Sequence, residues 1–372
     1  MATEQLERIM TDCIDHYRRA LSGALGVGIA TAQFGLIGSA MAQSGRKEAL
    51  PPVHQLPSLA SASSWLNSPP LTSADLRGKV VMIDFWTYTC INWLRTLPYR
   101  RAWAEKYRDQ GLVVIGVHSP EFPFEKDIGN VRRAAAAMRV EYPIAIDSEH
   151  AVWRAFNNES WPALYLADAT GKIRHYHAGE GKYELTERAI QRLLVEAGNH
   201  GTNQQLVSVD ARGAEVAADW ASLKSPENYV GYERTEGFAS PGGAAPDKRR
   251  VYAAPAHLGL NHWALVGDWT VKPQATILNQ PNGAIVYRFH ARDLHLVMGA
   301  ATREKPVRFR VRIDGQPPGA AHGIDVDKDG IGTVTEPRLY QLIRQTTKPI
   351  NDRQFDIVFL DPGVQAFSFT FG

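Results

Sequence analysis

Two short and almost uninterrupted apolar runs, residues 79–85 and 112–117, constrain the fold of this chain more than any other feature. Runs of this length without alternation are typical of strands that are buried on both faces of a sheet. The intervening residues 90–110 have helical periodicity, and strand and helix patterns continue to alternate afterwards. The sequence therefore predicts an α/β domain over residues 50–200.

A hairpin and a helix complete this first domain. Residues 163–167 and 172–177 are predicted to be two strands joined by a turn, and residues 185–195 have the pattern of an amphipathic helix. Together these elements predict a mixed sheet between helices, in three layers. The Pro- and Ser-rich residues 43–75 are interpreted as a lead-in to the domain.

The hydrophobic period changes to two in the last part of the chain. Residues 307–313 alternate apolar residues with arginines, and residues 355–359 and 367–371 repeat the alternation with phenylalanine. Several short alternating strands separated by Gly, Pro and Asp turns predict an all-β sandwich, jelly-roll-like, at residues 226–372. The more polar residues 201–225 are predicted to be the linker.

A leader is predicted at residues 1–42. The pair Arg18 and Arg19 precedes an Ala- and Gly-rich apolar stretch that ends in Ala-Met-Ala at residues 40–42. This order is typical of a twin-arginine (Tat) signal peptide, so we expect periplasmic or other extracytoplasmic export and loss of Cys13 with the leader. An uncleaved anchor helix is the alternative, because the stretch is just long enough to span a bilayer.

Charge and cysteine content exclude some classes of protein. The net charge is only +2 and no long basic run occurs, so nucleic-acid binding by a positive face is not supported. The chain has two cysteines, Cys13 and Cys90, so no disulfide framework can be built. Nothing in the sequence makes a cofactor obligatory.

Cys90 lies at a predicted strand-to-helix junction. A cysteine at the first turn of a helix faces unpaired backbone N–H groups and the positive end of the helix dipole. Both favour thiolate over thiol, so we expect the pKa of Cys90 to be lowered. Trp161 and Pro162 precede the hairpin, where a cis proline would turn the chain toward the cysteine.

Several stretches around these residues resemble the redoxin-like branch of the thioredoxin superfamily, the branch related to the C-terminal region of DipZ. They are residues 86–92, 116–122, 161–166, 179–183, 325–327, 338–342 and 360–364. The resemblance covers most of the chain after the leader. It implies a thioredoxin fold, a Cys-x-x-Cys redox pair beside a cis proline, and a sandwich similar to a carbohydrate-binding module.

The sequence departs from this family at Trp93, where the second cysteine would stand. A dithiol cycle needs that thiol to resolve the mixed disulfide formed by the first, so it is excluded here. Three interpretations of Cys90 remain. It acts as a monothiol that an external thiol resolves, with a weak peroxidase-like form through sulfenic acid; it traps thiol partners; or it is a remnant in a binding scaffold.

The neighbours of Cys90 are candidates for secondary roles. Trp93 either fills space beside the helix or shields the thiolate and contacts a ligand. Trp86, Thr89 and Trp161 are candidates for positioning a substrate. His118 follows a buried strand and is expected either to tune Cys90 or to lie on the surface.

Two patterns suggest metal sites. His175 and His177 share one face of a predicted strand, although a solvated hairpin face explains them without a metal. Residues 325–330 have the Asp-x-Asp-x-Asp-Gly spacing of a calcium loop, with possible ligands Asp325, Asp327, Asp329 and Glu336. The helices that usually flank such a loop are not predicted, so an acidic turn without metal is the alternative.

The sandwich carries Trp263 and Trp269, which could stack on a sugar ring or pack in the core. Glycan binding is therefore an expectation from the family resemblance alone. The expected activity is thiol-based redox chemistry at Cys90 with a thiol, disulfide or low-molecular-weight thiol partner. A non-catalytic envelope protein that binds a glycan or a protein is the alternative, and a membrane contact is expected only through an uncleaved leader.

Overall fold

The computed structural model describes residues 53–372, which form an α/β domain followed by an all-β domain. The predicted leader, Cys13 and the first part of the lead-in lie outside the described residues. Among the described residues, no helix is both long enough and apolar enough to cross a bilayer.

The first domain is a six-stranded mixed sheet, as predicted, with strand order β1-β4-β3-β2-β5-β6. The strands are β1 (Ser64–Leu66), β2 (Val80–Trp86), β3 (Leu112–His118), β4 (Ile144–Ile146), β5 (Ala163–Ala167) and β6 (Ile173–Ala178). Strands β2, β3 and β4 are parallel, whereas β1, β5 and β6 are antiparallel to their neighbours. All seven residues of β2 are buried, as its continuous apolar run requires.

Helices cover both faces of this sheet. They are α1 (Ile91–Tyr107), α2 (Ile128–Ala137), α3 (Ala151–Ala155) and α4 (Tyr183–Glu196). Side chains of α1, α2 and α4 share one hydrophobic cluster, while α3 packs on the opposite face. The lead-in contributes Leu59 and the partly buried Leu71 to that opposite face and also forms strand β1, so its described part belongs to the fold.

The second domain is antiparallel in every pairing between its strands. These strands are β7 (Asn228–Tyr229), β8 (Arg249–Tyr252), β9 (Trp263–Val271), β10 (Thr276–Leu278), β11 (Gly283–Phe289), β12 (Asp293–Ala300), β13 (Val307–Ile313), β14 (Ile331–Val334), β15 (Arg338–Arg344), β16 (Arg353–Phe359) and β17 (Val364–Phe371). The first half of β9 pairs with β11 and its second half pairs with β8 and β10. The sheet therefore folds over at β9 into the predicted sandwich, which is open like a half-barrel.

The two domains share part of their core. Phe367, Leu339 and Val297 of the second domain belong to the same hydrophobic cluster as Leu97 of α1. The predicted linker lies against both domains, since Arg101 of α1 pairs with Glu215 at 2.7 Å and Arg344 of β15 donates to the carbonyl of Gly213. The domain boundary is therefore a packed interface.

A candidate thiol site between the two domains

Cys90 is the N-cap residue of α1, directly after the turn that follows β2. Its side chain is half-buried, and its Sγ lies 3.8 Å from the carbonyl oxygen of Trp161. The Trp161–Pro162 peptide bond is cis. The structure thus brings together Cys90 and the Trp161–Pro162 turn, which are 71 residues apart in the chain.

The expectation of a lowered thiol pKa is wrong. Burial raises the pKa of Cys90 well above its ordinary value, and the carboxylates of Glu227 and Glu121 raise it further. The backbone N–H groups of Trp93 and Asn92 act in the opposite direction, as a helix N-terminus should, but they do not outweigh burial. Cys90 is therefore held mainly as a neutral thiol.

Trp93 occupies the interior beneath the site. Its indole is fully buried, stacks on Trp86 with ring centroids 4.4 Å apart, and donates from Nε1 to Oδ2 of Asp84 at 2.8 Å. The other oxygen of Asp84 accepts from Nε of Arg100 at 3.0 Å. This packing role is the simpler of the two expected for Trp93, and burial keeps its ring from meeting a ligand.

Asp84 and Arg100 were not singled out from the sequence. Both are buried, and the burial of Asp84 raises the pKa of its carboxyl although Arg100 and Trp93 lower it. The signal was present, because an aspartate within an otherwise apolar buried strand needs a partner.

Thr89 has a partner that the sequence analysis also missed. Its hydroxyl donates to Oε1 of the buried Glu125 at 2.6 Å. Oε2 of Glu125 accepts from the backbone N–H groups of Glu121 at 2.6 Å and Phe122 at 2.9 Å. Burial raises the pKa of Glu125 to about 7 despite these hydrogen bonds.

His118 is buried and does not lie on the surface. It ends β3, with its ring edge-on to Trp86 and stacked on Tyr88. Neither ring nitrogen has a hydrogen-bond partner among the described residues. Burial therefore lowers the pKa of His118 to about 3, and the ring is neutral.

Trp161 is half-buried and packs on Trp153, with ring centroids 4.4 Å apart. Trp86, by contrast, is fully buried beside Trp93. Of the two, only Trp161 is in a position to meet a substrate.

The two histidines of β6 are engaged by protein groups. His175 is buried with Nε2 3.2 Å from the hydroxyl of Thr186, and Nε2 of half-buried His177 lies 3.3 Å from the carbonyl of Glu180. Burial lowers the pKa of His175 to about 4. The hairpin face is therefore not the solvated surface that was expected as the alternative to a metal.

The acidic turn of the second domain does not assemble as the predicted calcium loop. Asp325 pairs with Arg338 at 2.6 Å, and Glu336 pairs with Arg303 at 3.2 Å. Asp327 accepts from the backbone of its own turn, including the N–H of Asp329. Throughout residues 53–372, no three His, Cys, Asp or Glu side chains are grouped to hold a metal ion.

Trp263 and Trp269 are core residues. Both are fully buried, and their indole N–H groups donate to protein oxygens, including the carbonyls of Glu236 and Val266. Of the two alternatives given for these rings, the structure supports packing in the core, and neither ring is exposed to stack on a sugar.

The second domain also reaches the thiol site. Tyr229 donates its hydroxyl proton to Glu121, and Arg234 pairs with the same carboxylate at 3.3 Å. Local sequence patterns could not reveal this contact, because the partners are more than 100 residues apart.

Comparison with known proteins agrees with this geometry. A redoxin family model matches residues 54–194, and a model described as a thioredoxin-like C-terminal domain matches residues 225–372. Protein DipZ of Mycobacterium tuberculosis is 39% identical over 264 residues, which is 70% of this chain and 36% of DipZ. This chain thus spans about a third of the length of the DipZ proteins that it matches.

Thiol-disulfide oxidoreductase YkuV of Bacillus subtilis is 34% identical over 141 residues, 38% of this chain and 95% of YkuV. A solved thioredoxin-like protein in its oxidised form is 35% identical, with a TM-score of 0.36 over 38% of this chain and 96% of its own. Both family matches and the near-complete coverage of YkuV lead to one assignment. This chain belongs to the redoxin and thiol-disulfide oxidoreductase family of the thioredoxin superfamily.

Proposed function

We propose that this chain is an exported protein that performs thiol-disulfide exchange through Cys90 alone and depends on an external thiol to complete each cycle. The observation that carries the proposal is the position of Cys90 at the start of α1, with its Sγ 3.8 Å from the Trp161 carbonyl. Family membership supports the chemistry, and the twin-arginine leader pattern supports export.

The exchange requires one thiol from the protein. The Cys90 thiolate attacks a partner disulfide, a mixed disulfide forms, and the partner's other sulfur leaves with the electron pair and takes up a proton. Because residue 93 is tryptophan, a second thiol must come from outside, attack the mixed disulfide and return Cys90 to the thiol. No metal or organic cofactor is needed for either step.

The environment of Cys90 sets the pH at which this chemistry is fast. The raised pKa of its thiol leaves a small thiolate fraction at neutral pH. The rate of mixed-disulfide formation should therefore still be rising above pH 9.

A second candidate function follows from the same raised pKa and from Trp93. A thiol that is mainly neutral and lies above the fully buried Trp93 is also consistent with a non-catalytic envelope protein. Such a protein would bind a protein or a glycan on a degenerate thioredoxin scaffold. In that case Cys90 would be a remnant of the family site.

Mass spectrometry of the full chain with Cys13→Ser, which leaves Cys90 as the only thiol, separates the two functions. The chain is incubated with oxidised glutathione from pH 7 to 10, and Cys90→Ser in the same background is the control. Exchange predicts one adduct whose rate rises with pH and which added thiol removes within minutes. The binding scaffold predicts an adduct that forms slowly at every pH, or one that added thiol does not reverse.

A further inference from the structure

The turn that leads into Cys90 is bound to the loop that follows β3. The backbone N–H of Ser119, the first residue of that loop, donates to the carbonyl of Trp86 at 3.0 Å. The Thr89 hydroxyl, on the residue directly before Cys90, donates to Oε1 of Glu125 at 2.6 Å. Thr89 and Glu125 are only 2% and 1% exposed, so water does not compete for this hydrogen bond. The turn is therefore held at both ends by one loop.

Glu125 also holds the loop itself. Oε2 of its carboxyl accepts from the backbone N–H groups of Glu121 and Phe122 at 2.6 Å and 2.9 Å. One side chain thus joins the Thr89 hydroxyl, through one oxygen, to two backbone groups of the loop, through the other. A shift of this part of the loop must therefore either break a buried hydrogen bond or move Thr89.

The second domain contacts the same part of the loop. The Glu121 carboxylate accepts from the Tyr229 hydroxyl and pairs with Arg234 at 3.3 Å. The side chains of Glu121 and Arg234 are largely buried. Phe122 packs on Phe367 of β17, with ring centroids 5.3 Å apart. A continuous series of contacts therefore runs from β7 and β17, through the loop, to the turn before the thiol.

We infer that Glu125 and Thr89 are positioning residues for Cys90, and that through them the contact of Tyr229 with the loop sets the orientation of the sulfur. The second domain then controls how well Cys90 reacts with a disulfide. This inference rests on the proposed exchange function and adds to it the regulation of the same site.

The physical basis is the directionality of disulfide exchange. The attacking sulfur must approach along the sulfur–sulfur bond of the partner, and a misplacement of about 1 Å can slow such an oriented step about 100-fold. Iodoacetamide also reacts with the thiolate, but it is smaller and can reach the sulfur from more directions. The ratio of the two rates therefore cancels changes in the thiolate fraction and reports the orientation of Sγ.

The test compares bis(2-hydroxyethyl) disulfide with iodoacetamide, two uncharged reagents, on the full chain with Cys13→Ser. With the disulfide, a bond forms between Sγ of Cys90 and one reagent sulfur, the reagent's sulfur–sulfur bond breaks, and the released thiolate takes up a proton. With iodoacetamide, a sulfur–carbon bond forms and iodide leaves. Mass spectrometry gives both rates, and the disulfide rate divided by the alkylation rate is the exchange ratio.

We expect Thr89→Val, which keeps the shape of the side chain but removes its hydroxyl, to lower the exchange ratio about tenfold. Tyr229→Phe should lower it about threefold, because Arg234 still pairs with Glu121. The double variant should lose no more than Thr89→Val alone, since breaking the series at Thr89 already uncouples the second domain.

Conservative variants separate positioning from a general effect on the fold. Thr89→Ser keeps the hydroxyl. Glu125→Gln can serve the same partners, because its amide accepts from the backbone N–H groups and donates to the Thr89 oxygen. Both should keep the wild-type ratio. Thr72→Val and Tyr232→Phe are matched controls, since each removes a hydroxyl that donates to an aspartate outside this series, and they should also keep it.

The possible failures are distinguishable. If iodoacetamide alkylates the folded wild type but the disulfide forms no adduct, the exchange function is wrong and this inference with it. If exchange occurs but Thr89→Val and Tyr229→Phe keep the wild-type ratio, exchange stands and the inference is overturned. It is also overturned if Thr89→Ser loses as much as Thr89→Val, or if the losses of Thr89→Val and Tyr229→Phe multiply in the double variant.

Discussion

The Trp93 indole, at the sequence position where the family resemblance implies a second cysteine, donates a hydrogen bond of 2.8 Å to Asp84. The tryptophan that stands in place of a resolving thiol therefore also supplies a hydrogen-bond donor to a buried carboxyl. Packing on Trp86 and the hydrogen bond to Asp84 together accommodate the large Trp93 side chain beneath Cys90.

Replacing Trp93 by cysteine should restore a dithiol pair. We expect insulin reduction, near background in the wild type, to rise clearly in Trp93→Cys, because the new thiol can resolve the mixed disulfide at Cys90. Stability should fall by about 3–5 kcal/mol, since a large buried side chain is truncated. Trp93→Phe keeps most of the packing without a thiol, and should show no insulin reduction. Activity in the Phe variant would contradict this explanation.

The buried pair of Asp84 and Arg100 should be necessary for stability. Asp84→Asn removes the carboxylate and leaves the Arg100 guanidinium buried without its partner, which should lower the free energy of unfolding by about 3–5 kcal/mol. Urea denaturation measures the loss. The matched control is Asp210→Asn, whose pair with Arg212 is on the surface and should make no measurable contribution. Equal effects of the two substitutions would show that the buried pair is not special.

Glu125 should give stability a component that decreases with pH. Its pKa in the folded protein is about 7, above the ordinary value of 4.5, so the folded state holds this proton more tightly. The contribution is fully present below pH 4.5 and is lost as pH rises through 7, by about 1.4 kcal/mol per pH unit in between. Glu125→Gln cannot titrate, and the difference between its unfolding free energy and that of the wild type should follow this slope.

The exposed Glu141→Gln substitution is the control for this titration and should leave the wild-type pH dependence intact. A difference between Glu125→Gln and the wild type that is constant from pH 4.5 to 7 would mean that Glu125 does not titrate in this range.

His118 should contribute with the opposite sign. Its pKa is about 3 in the folded protein and 6.5 in the unfolded chain, so protonation favours unfolding. The free energy of unfolding should fall as pH decreases from 6.5 to 3, with a slope of about 1.4 kcal/mol per pH unit from this residue. In His118→Phe, the slope of the unfolding free energy against pH should be smaller by the contribution of one proton. The exposed His200→Phe variant should keep the wild-type slope.

The architecture was accessible from the sequence because its signals are local. The continuous apolar runs of β2 and β3 and the alternation in β13 report burial directly. Strand β1 was missed because it has only three residues in a Pro- and Ser-rich segment. An edge strand this short depends on pairing with β4, which no local pattern reveals.

The errors at the candidate site have one physical origin. The dipole at the start of α1 is a local feature and predicts a low pKa for Cys90, but burial and Glu227 come from elsewhere in the fold and reverse the sign. The acidic turn likewise has the spacing of a calcium loop in the sequence. In the structure, however, Asp325 and Glu336 form ion pairs with Arg338 and Arg303, which lie outside the turn. Spacing along the chain identifies possible metal ligands, but it does not show which other side chains will pair with them in the fold.

The aromatic contacts of Phe122 and Phe124 with Phe367 bear on cooperativity. One hydrophobic cluster contains side chains from both domains, so the unfolding of either domain would expose apolar surface of the other to water. Calorimetry should accordingly record one endotherm for residues 53–372, with equal calorimetric and van't Hoff enthalpies. Two domains that unfold independently would give two endotherms.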